Sequence, residues 1–171
     1  VSARSQLEHD SSSKEIGDNT ELVINEAIKS LKAISNNLSP HVLDNFGLLR
    51  AITNFSNKIN AAKAVHIEID SNLKDDRFDS NVEVVLYRVL CELINNTIKH
   101  AHAKNIRINL NKEENYITIV YKDDGHGFDV KRITDHPSGS GMGMSNVFSR
   151  ISSLKGEISV ESEKQKGTLA Y

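Results

Sequence analysis

A chain of 171 residues suits one domain with room for a helical extension. Hydrophobic residues make up 38% and charged ones 26%, enough for a globular core, and a net charge of -2 provides no electrostatic footprint for nucleic acid. No apolar run approaches the roughly 18 residues of a membrane span, no signal peptide is visible, and the single cysteine, Cys91, excludes an internal disulfide. Cys91 reads as a small core residue, a usage that fits a reducing compartment. The chain starts on Val1 and stops at Tyr171 soon after a strand-like start, so it reads as a piece of something longer.

Residues 1–20 are polar, with serines at Ser11–Ser13 and turn material at Gly17-Asp18-Asn19. Asn19 or Thr20 can cap the helix that follows. From Glu21, the residues Ile24, Ala27, Leu31, Ile34 and Leu38 step by three and four. So narrow a stripe is a coiled-coil-like seam that wants a partner helix. Pro40 predicts a break at Leu38-Ser39-Pro40, since a proline in a helix interior removes a hydrogen bond. A second helix is expected from near Asn45, carrying Leu48, Leu49, Ile52, Phe55 and Ile59. Val65–Asp70 alternates apolar and polar residues, a strand with one buried face. After a polar connection, Ser80 or Asn81 can cap the central helix.

That helix is clearest over Leu86–Ala103, LYRVLCELINNTIKHAHA. At about 100° per residue, Leu86, Leu90, Leu93, Ile94, Thr97 and Ala101 share one side, and Arg88, Glu92, Asn95, Asn96 and Lys99 gather on the other. Two adjacent asparagines are mediocre helix formers. A carboxylate, a carboxamide four residues on and an ammonium three further can meet a common ligand, and oxygen donors suit a hard cation such as Mg²⁺ with its phosphates. A plain polar face with two tolerated asparagines fits equally well.

Lys104–Asn111 and Tyr116–Lys122 alternate again and predict an antiparallel hairpin, which runs into Asp123-Asp124-Gly125-His126-Gly127-Phe128. The stretch Asp129–Ser140 reads as flexible. Gly141-Met142-Gly143-Met144 then opens a helix through Leu154, Gly156 ends it, and Glu157–Glu163 with Gly167–Tyr171 form a closing strand pair. No internal repeat appears. The sum is an α+β sandwich, a sheet with its helices on one face, behind a helical stalk.

Ending a strand, Asp123 is expected at a sheet edge, where a partly desolvated carboxylate needs hydrogen-bond donors. An exocyclic amine such as adenine N6 is one, whereas guanine presents an acceptor there. In isolation the motif reads rather as an ordinary Asp-Gly turn. The loop Gly139-Ser140-Gly141-Met142-Gly143 opens a helix, so its backbone can approach phosphate oxygens. Alone it is equally a flexible turn. It lacks the spacing and preceding strand of a dinucleotide site, and the absence of GK[ST] excludes a P-loop.

The ordered set E-x-x-x-N-x-x-K-H, D-x-G-x-G, G-x-G-x-G and a late Gly-Thr resembles the GHKL ATPase superfamily, with a Bergerat-type two-layer sandwich. More closely it resembles the catalytic, ATP-binding domain of sensor histidine kinases of two-component systems, over roughly residues 21–171. Leu38-Ser39-Pro40 and Gly47-Leu48 look like the LxP…GL stretch of kinases of the nitrate-sensor and desaturase-sensor type. The resemblance implies ATP and Mg²⁺. By the same resemblance Glu92 is the acid that orients or activates the reacting group, with Asn96 (and Glu92) at Mg²⁺ and Asn95, Lys99 and His100 flanking the phosphates. Asp123 takes adenine N6, and Gly125 and Gly127 leave room for the base. Gly139, Gly141 and Gly143 form the far wall with 129–138 as lid, and Thr168 supports the adenine end. An F box is missing and the lid is short, as that subfamily leads one to expect; Met142 and Met144 replace the usual leucines. His41, His66, His102 and His136 show no metal-ligand spacing, and His126 reads as solvent-facing.

The domain division expected is 1–40 for linker and second dimerisation helix and 41–171 for the ATP-binding domain. The implied partners are ATP, a response-regulator receiver domain and a second copy through helix 21–38, with no nucleic acid. The domain itself is expected in the cytoplasm and its parent at the inner membrane, anchored outside this chain. An anti-sigma-type serine kinase and a non-catalytic ATP-sensing scaffold are the alternatives. His9-Asp10 copies the family's phosphoacceptor dipeptide. At about 1.5 Å per residue, however, two long helices and a turn need roughly twice the interval from His9 to Leu38. His9 is therefore placed in the connection between the helices, with the true acceptor before Val1.

Overall fold

The computed structural model describes residues 39–128, 142–163 and 165–171. The expectations for His9, the helix Glu21–Leu38, the lid 129–138, His136, Gly139 and Gly141 lie outside the described residues.

Helix α1 runs Ser39–Ala61 with a kink at Gly47 (φ 76°, ψ 179°). It starts earlier than expected, because Pro40 falls in the first turn, where its missing N–H costs nothing. Gly47 is the real interruption. Its positive φ favours glycine, and a Cβ there would sit 2.9 Å from the Arg77 Cδ. Leu43, Leu48, Ala51, Ile52, Phe55 and Ile59 are all buried, and the Phe55 ring meets Tyr87 edge-on at 6.3 Å.

Strand β1 is His66–Ser71, and it lies at the sheet edge. Its exposed ladder groups are partly satisfied by Asn60 of α1, which donates to the Ile67 carbonyl (2.9 Å) and accepts from the Ile67 N–H (2.7 Å). Helix α2, Ser80–Asn96, follows. Its cap is Asp79, which accepts from the Asn81 N–H; Ser80, expected as a cap, already belongs to the helix.

The buried carboxylate of Glu83, in the first turn of α2, clamps the kink of α1. It accepts from Arg77 Nε (3.1 Å) and Nη2 (3.0 Å) and from the Phe78 N–H (3.1 Å), while Arg77 Nη2 also reaches the Leu43 carbonyl (3.2 Å). Glu83 is 1% exposed, so removing it strands the Phe78 N–H and part of the guanidinium. Glu83→Ala is expected to lower stability by about 3 kcal/mol in a urea unfolding titration.

After Asn96 the helix widens into a π-helical turn, Thr97–Ala101, and ends at His102 in the left-handed region (φ 50°). Strands β2 (Asn105–Lys112) and β3 (Ile117–Asp123) form the expected antiparallel hairpin. Helix α3 is Met142–Ser153, and β4 (Val160–Glu163) pairs antiparallel with β5 (Gly167–Ala170). The sheet order is β1-β2-β3-β5-β4, with β1 and β2 parallel and the rest antiparallel. The parallel pair requires a long crossover, which α2 supplies. Ile67, Ile106, Ile108, Leu110 and Tyr121 turn to the buried face, against which α2 packs between α1 and α3. The opposite face carries exposed charge, such as the Glu68–Arg107 pair at 3.1 Å. This is the α+β sandwich the sequence predicts.

Candidate functional site

Two clusters of polar side chains meet at the C-terminal end of α2, and adjacent residues supply one to each. Thr97 belongs to the first, around Asp123. That aspartate ends β3 as expected, but β3 is the middle strand, so Asp123 is flanked by Ile106 and Thr168 rather than sitting at a sheet edge. It is 3% exposed, and each carboxylate oxygen holds a donor. The Thr97 hydroxyl donates to Oδ2 at 3.0 Å and the Gly125 N–H to Oδ1 at 2.9 Å. A carboxylate oxygen accepts twice, so each retains capacity for a ligand.

Behind Thr97 stands Tyr121, whose hydroxyl lies 2.6 Å from Thr97 Oγ1 and 3.3 Å from the Leu93 carbonyl. Burial pushes the Tyr121 phenol far above its ordinary range, so it stays a neutral hydroxyl. Thr168, buried abreast of Asp123, lies with its Oγ1 3.3 Å from Ser162 Oγ.

The loop after β3 is fastened on both sides. Asp124 accepts from the Lys104 N–H (2.8 Å), the Asn105 N–H (2.9 Å) and Asn105 Nδ2 (2.8 Å), and the bonds from Asn105 hold its carboxyl below the usual range. The His126 N–H donates to the Ala101 carbonyl at 2.8 Å. Its side chain is exposed, as expected, with its ring 5.4 Å from that of His102. The two glycines differ from expectation. A Cβ on Gly125 would lie 2.5 Å from the Ala101 Cβ, and one on Gly127 2.1 Å from the Glu163 carbonyl oxygen. What they make room for is the chain's own backbone, from the π turn and from the β4–β5 connection.

The second cluster joins α2 to the start of α3. A Cβ on Gly143 would stand 2.4 Å from Glu92 Oε1 and 3.2 Å from both carboxamide atoms of Asn96. Asn96 Nδ2 faces Met144 Sδ at 3.9 Å. The first turn of α3 thus comes close to the ends of both side chains. A carboxylate and a carboxamide oxygen therefore converge at a helix N-terminus, a donor set that fits Mg²⁺ and adjoining phosphate. Among the described residues no group of three or more His, Cys, Asp or Glu is placed to hold a metal, so such an ion needs phosphate and water oxygens as well. Asn95 differs from the expected polar face: it is 6% exposed. Lys99 is half-buried and His100 exposed, both on the π turn.

A family model described as "Histidine kinase-, DNA gyrase B-, and HSP90-like ATPase" matches residues 81–171, from the first turn of α2 through β5. The chain belongs to this ATPase family. Among solved structures, this ATPase domain is similar to the Erythrobacter litoralis EL346 blue-light activated histidine kinase. The identity is 16% over 90% of this chain and 57% of that one, with a TM-score of 0.56. It is also similar to Acinetobacter baumannii histidine kinase AdeS, at 20% identity over 95% of this chain and 81% of that one, with a TM-score of 0.54. A third is full-length ShkA in complex with AMPPNP, at 18% identity over 72% of this chain and 29% of that one, with a TM-score of 0.55. At such identities the likeness is one of fold. The chain spans 57% of the length of the E. litoralis kinase domain structure it also matches.

Thr97, Tyr121 and Ser162 lie in or beside these clusters and belong to none of the sequence motifs. Thr97 and Tyr121 carried only the signal of apolar-face positions. A hydroxyl at such a position, with a second hydroxyl two residues before a strand-ending aspartate, is the pattern that would have found them.

Proposed function

We propose that this ATPase domain binds Mg-ATP and, within its parent protein, passes the γ-phosphoryl to a histidine for relay to the aspartate of a response-regulator receiver domain. The observation that carries the reading is the pairing of two sites through neighbouring residues. Asn96 and Glu92 face the N-terminus of α3, and Thr97 faces the buried Asp123. A nucleotide bridging them would present its adenine amine to Asp123, with Thr168 beside it, and its phosphates to the start of α3, Lys99 and His100. Mg²⁺, held by Asn96 with Glu92 and phosphate oxygens, would neutralise charge on the phosphates.

The acceptor histidine attacks the γ-phosphorus through one ring nitrogen, the bond from phosphorus to the β,γ-bridging oxygen breaks, and ADP leaves. Glu92 accepts the proton of the other ring nitrogen, which removes the positive charge that forms on the imidazole. On the sequence pattern Leu38-Ser39-Pro40 with Gly47-Leu48, the proposal takes the parent to be of the nitrate-sensor and desaturase-sensor type. The proposal extends to the division into 1–40 and 41–171, to pairing of two copies through helix 21–38, and to a cytoplasmic domain whose parent is anchored at the inner membrane.

The parent protein incubated with γ-labelled ATP tests the reading. Acid-labile label is expected; acid-stable label would make it a serine kinase, and none with intact ATP binding would make it a scaffold. Glu92→Gln should cut labelling about a hundredfold or more, well beyond whatever Mg-ATP affinity is lost with its place at Mg²⁺. Asn96→Ala should instead raise the Mg²⁺ concentration needed for ATP binding.

A further inference from the structure

The buried hydroxyls behind Asp123 have a direction that bears on which base the pocket accepts. Thr97 and Tyr121 each own one hydroxyl proton. Thr97 Oγ1 lies 3.0 Å from Asp123 Oδ2, and a hydroxyl donating to a carboxylate forms a charge-assisted bond, the strongest use of its proton. The Tyr121 proton then has Thr97 Oγ1 at 2.6 Å and the Leu93 carbonyl at 3.3 Å, and the nearer acceptor is the one Thr97 leaves open. The relay runs Tyr121 to Thr97 to Asp123. All three residues are buried, Tyr121 at 1% exposure, so bulk water competes little for these protons.

Thr97 opens the π-helical turn, a deviation that occurs mostly as single turns and frequently at functional sites. With the Gly125 N–H on the other oxygen, both carboxylate oxygens are pinned by donors. The group cannot rotate without losing one bond, so the lone pairs left for a ligand keep a fixed direction.

We infer that Thr97, backed by Tyr121, is a positioning residue that holds Asp123 as an acceptor-only group and so restricts the site to purines bearing an amine at C6. The inference rests on the adenine reading proposed above and deepens it by naming the residue that enforces it. A 6-oxo purine presents an acceptor to that carboxylate and finds no proton to meet it. Without the Thr97 hydroxyl, Asp123 is free to turn, and the N1–H of the oxo purine gains an acceptor.

The test measures Kd for ADP and for IDP by calorimetry on the full chain, for the unmodified protein, Thr97→Val and Thr97→Ser. The unmodified protein is expected to prefer ADP. Thr97→Val, nearly the same shape without the hydroxyl, should reduce the ADP-to-IDP preference about tenfold. Thr97→Ser, which restores the donor, should stay within about twofold of the unmodified value. A packing role alone weakens both nucleotides together, so an unchanged ratio in Thr97→Val overturns the inference even if both affinities drop. So does a ratio lost equally in Thr97→Ser. If Thr97→Val does not fold, Thr97→Ala removes the same hydroxyl with less bulk and carries the same expected ratio. Equal affinity of the unmodified protein for ADP and IDP would overturn the adenine reading itself, and the inference with it. A preserved preference with an unchanged Thr97→Val ratio overturns the inference alone.

Discussion

Asp123→Asn is expected to lower ADP affinity about a hundredfold and to bring it close to the affinity for GDP. Both oxygens of Asp123 already receive a donor, from Thr97 on one side and the Gly125 N–H on the other. A carboxamide must place its NH₂ against one of them, so one side meets donor with donor whichever way it is flipped. On the adenine reading proposed above, the lost acceptor would also remove the charge-assisted partner of the adenine amine. Calorimetry with ADP and GDP reads the change. Equal affinity for the two nucleotides in the unmodified domain would remove the basis for assigning Asp123 to the base.

Gly167→Ala should destabilise the fold by more than about 3 kcal/mol, read as a large drop in Tm or as insoluble expression. Gly167 has φ 81°, where a side chain is strained, and an added Cβ would lie 2.1 Å from the Asp123 carbonyl oxygen and 3.3 Å from the Asp124 Cα. These are backbone atoms of the middle strand and its loop, and the register Asp123↔Thr168 leaves β5 nowhere to retreat. Ser162, bonded to the Gly167 carbonyl (3.0 Å) and to the Phe128 N–H (2.8 Å), ties the same corner to β4. An alanine variant that melts with the unmodified protein would mean that this corner yields more than the packing allows.

Much of the layout is legible along the chain because its causes are local. Alternation in Val65–Asp70, Lys104–Asn111 and Tyr116–Lys122 marks strands, and the short connection at Glu113–Asn115 makes two of them a hairpin. The apolar stripe Leu86, Leu90, Leu93, Ile94 is buried as its period requires, and Cys91 is buried with it. Pro40 is ambiguous on its own, since proline breaks a helix interior but suits a first turn. Which applies depends on where the helix begins, and here it begins at Ser39.

The motif DDGHG points to Asp123 from sequence only as one member of the ordered set of motifs, since alone it is also an ordinary Asp-Gly turn. Its surroundings do not follow from that. Whether Asp123 is at an edge or in the middle depends on β5, which arrives more than forty residues later and inserts between β3 and β4. Gly125 and Gly127 are likewise required by contacts with Ala101 and Glu163, both distant in sequence. A helical period of about 100° assigns Thr97 to the apolar side and goes no further. The π turn that starts there places its hydroxyl on Asp123. Periodicity and turn chemistry act over a few residues, so the elements and the motif aspartate are written locally. The partners of that aspartate come from three separate stretches of chain, and only the packed sheet and its helix bring them together.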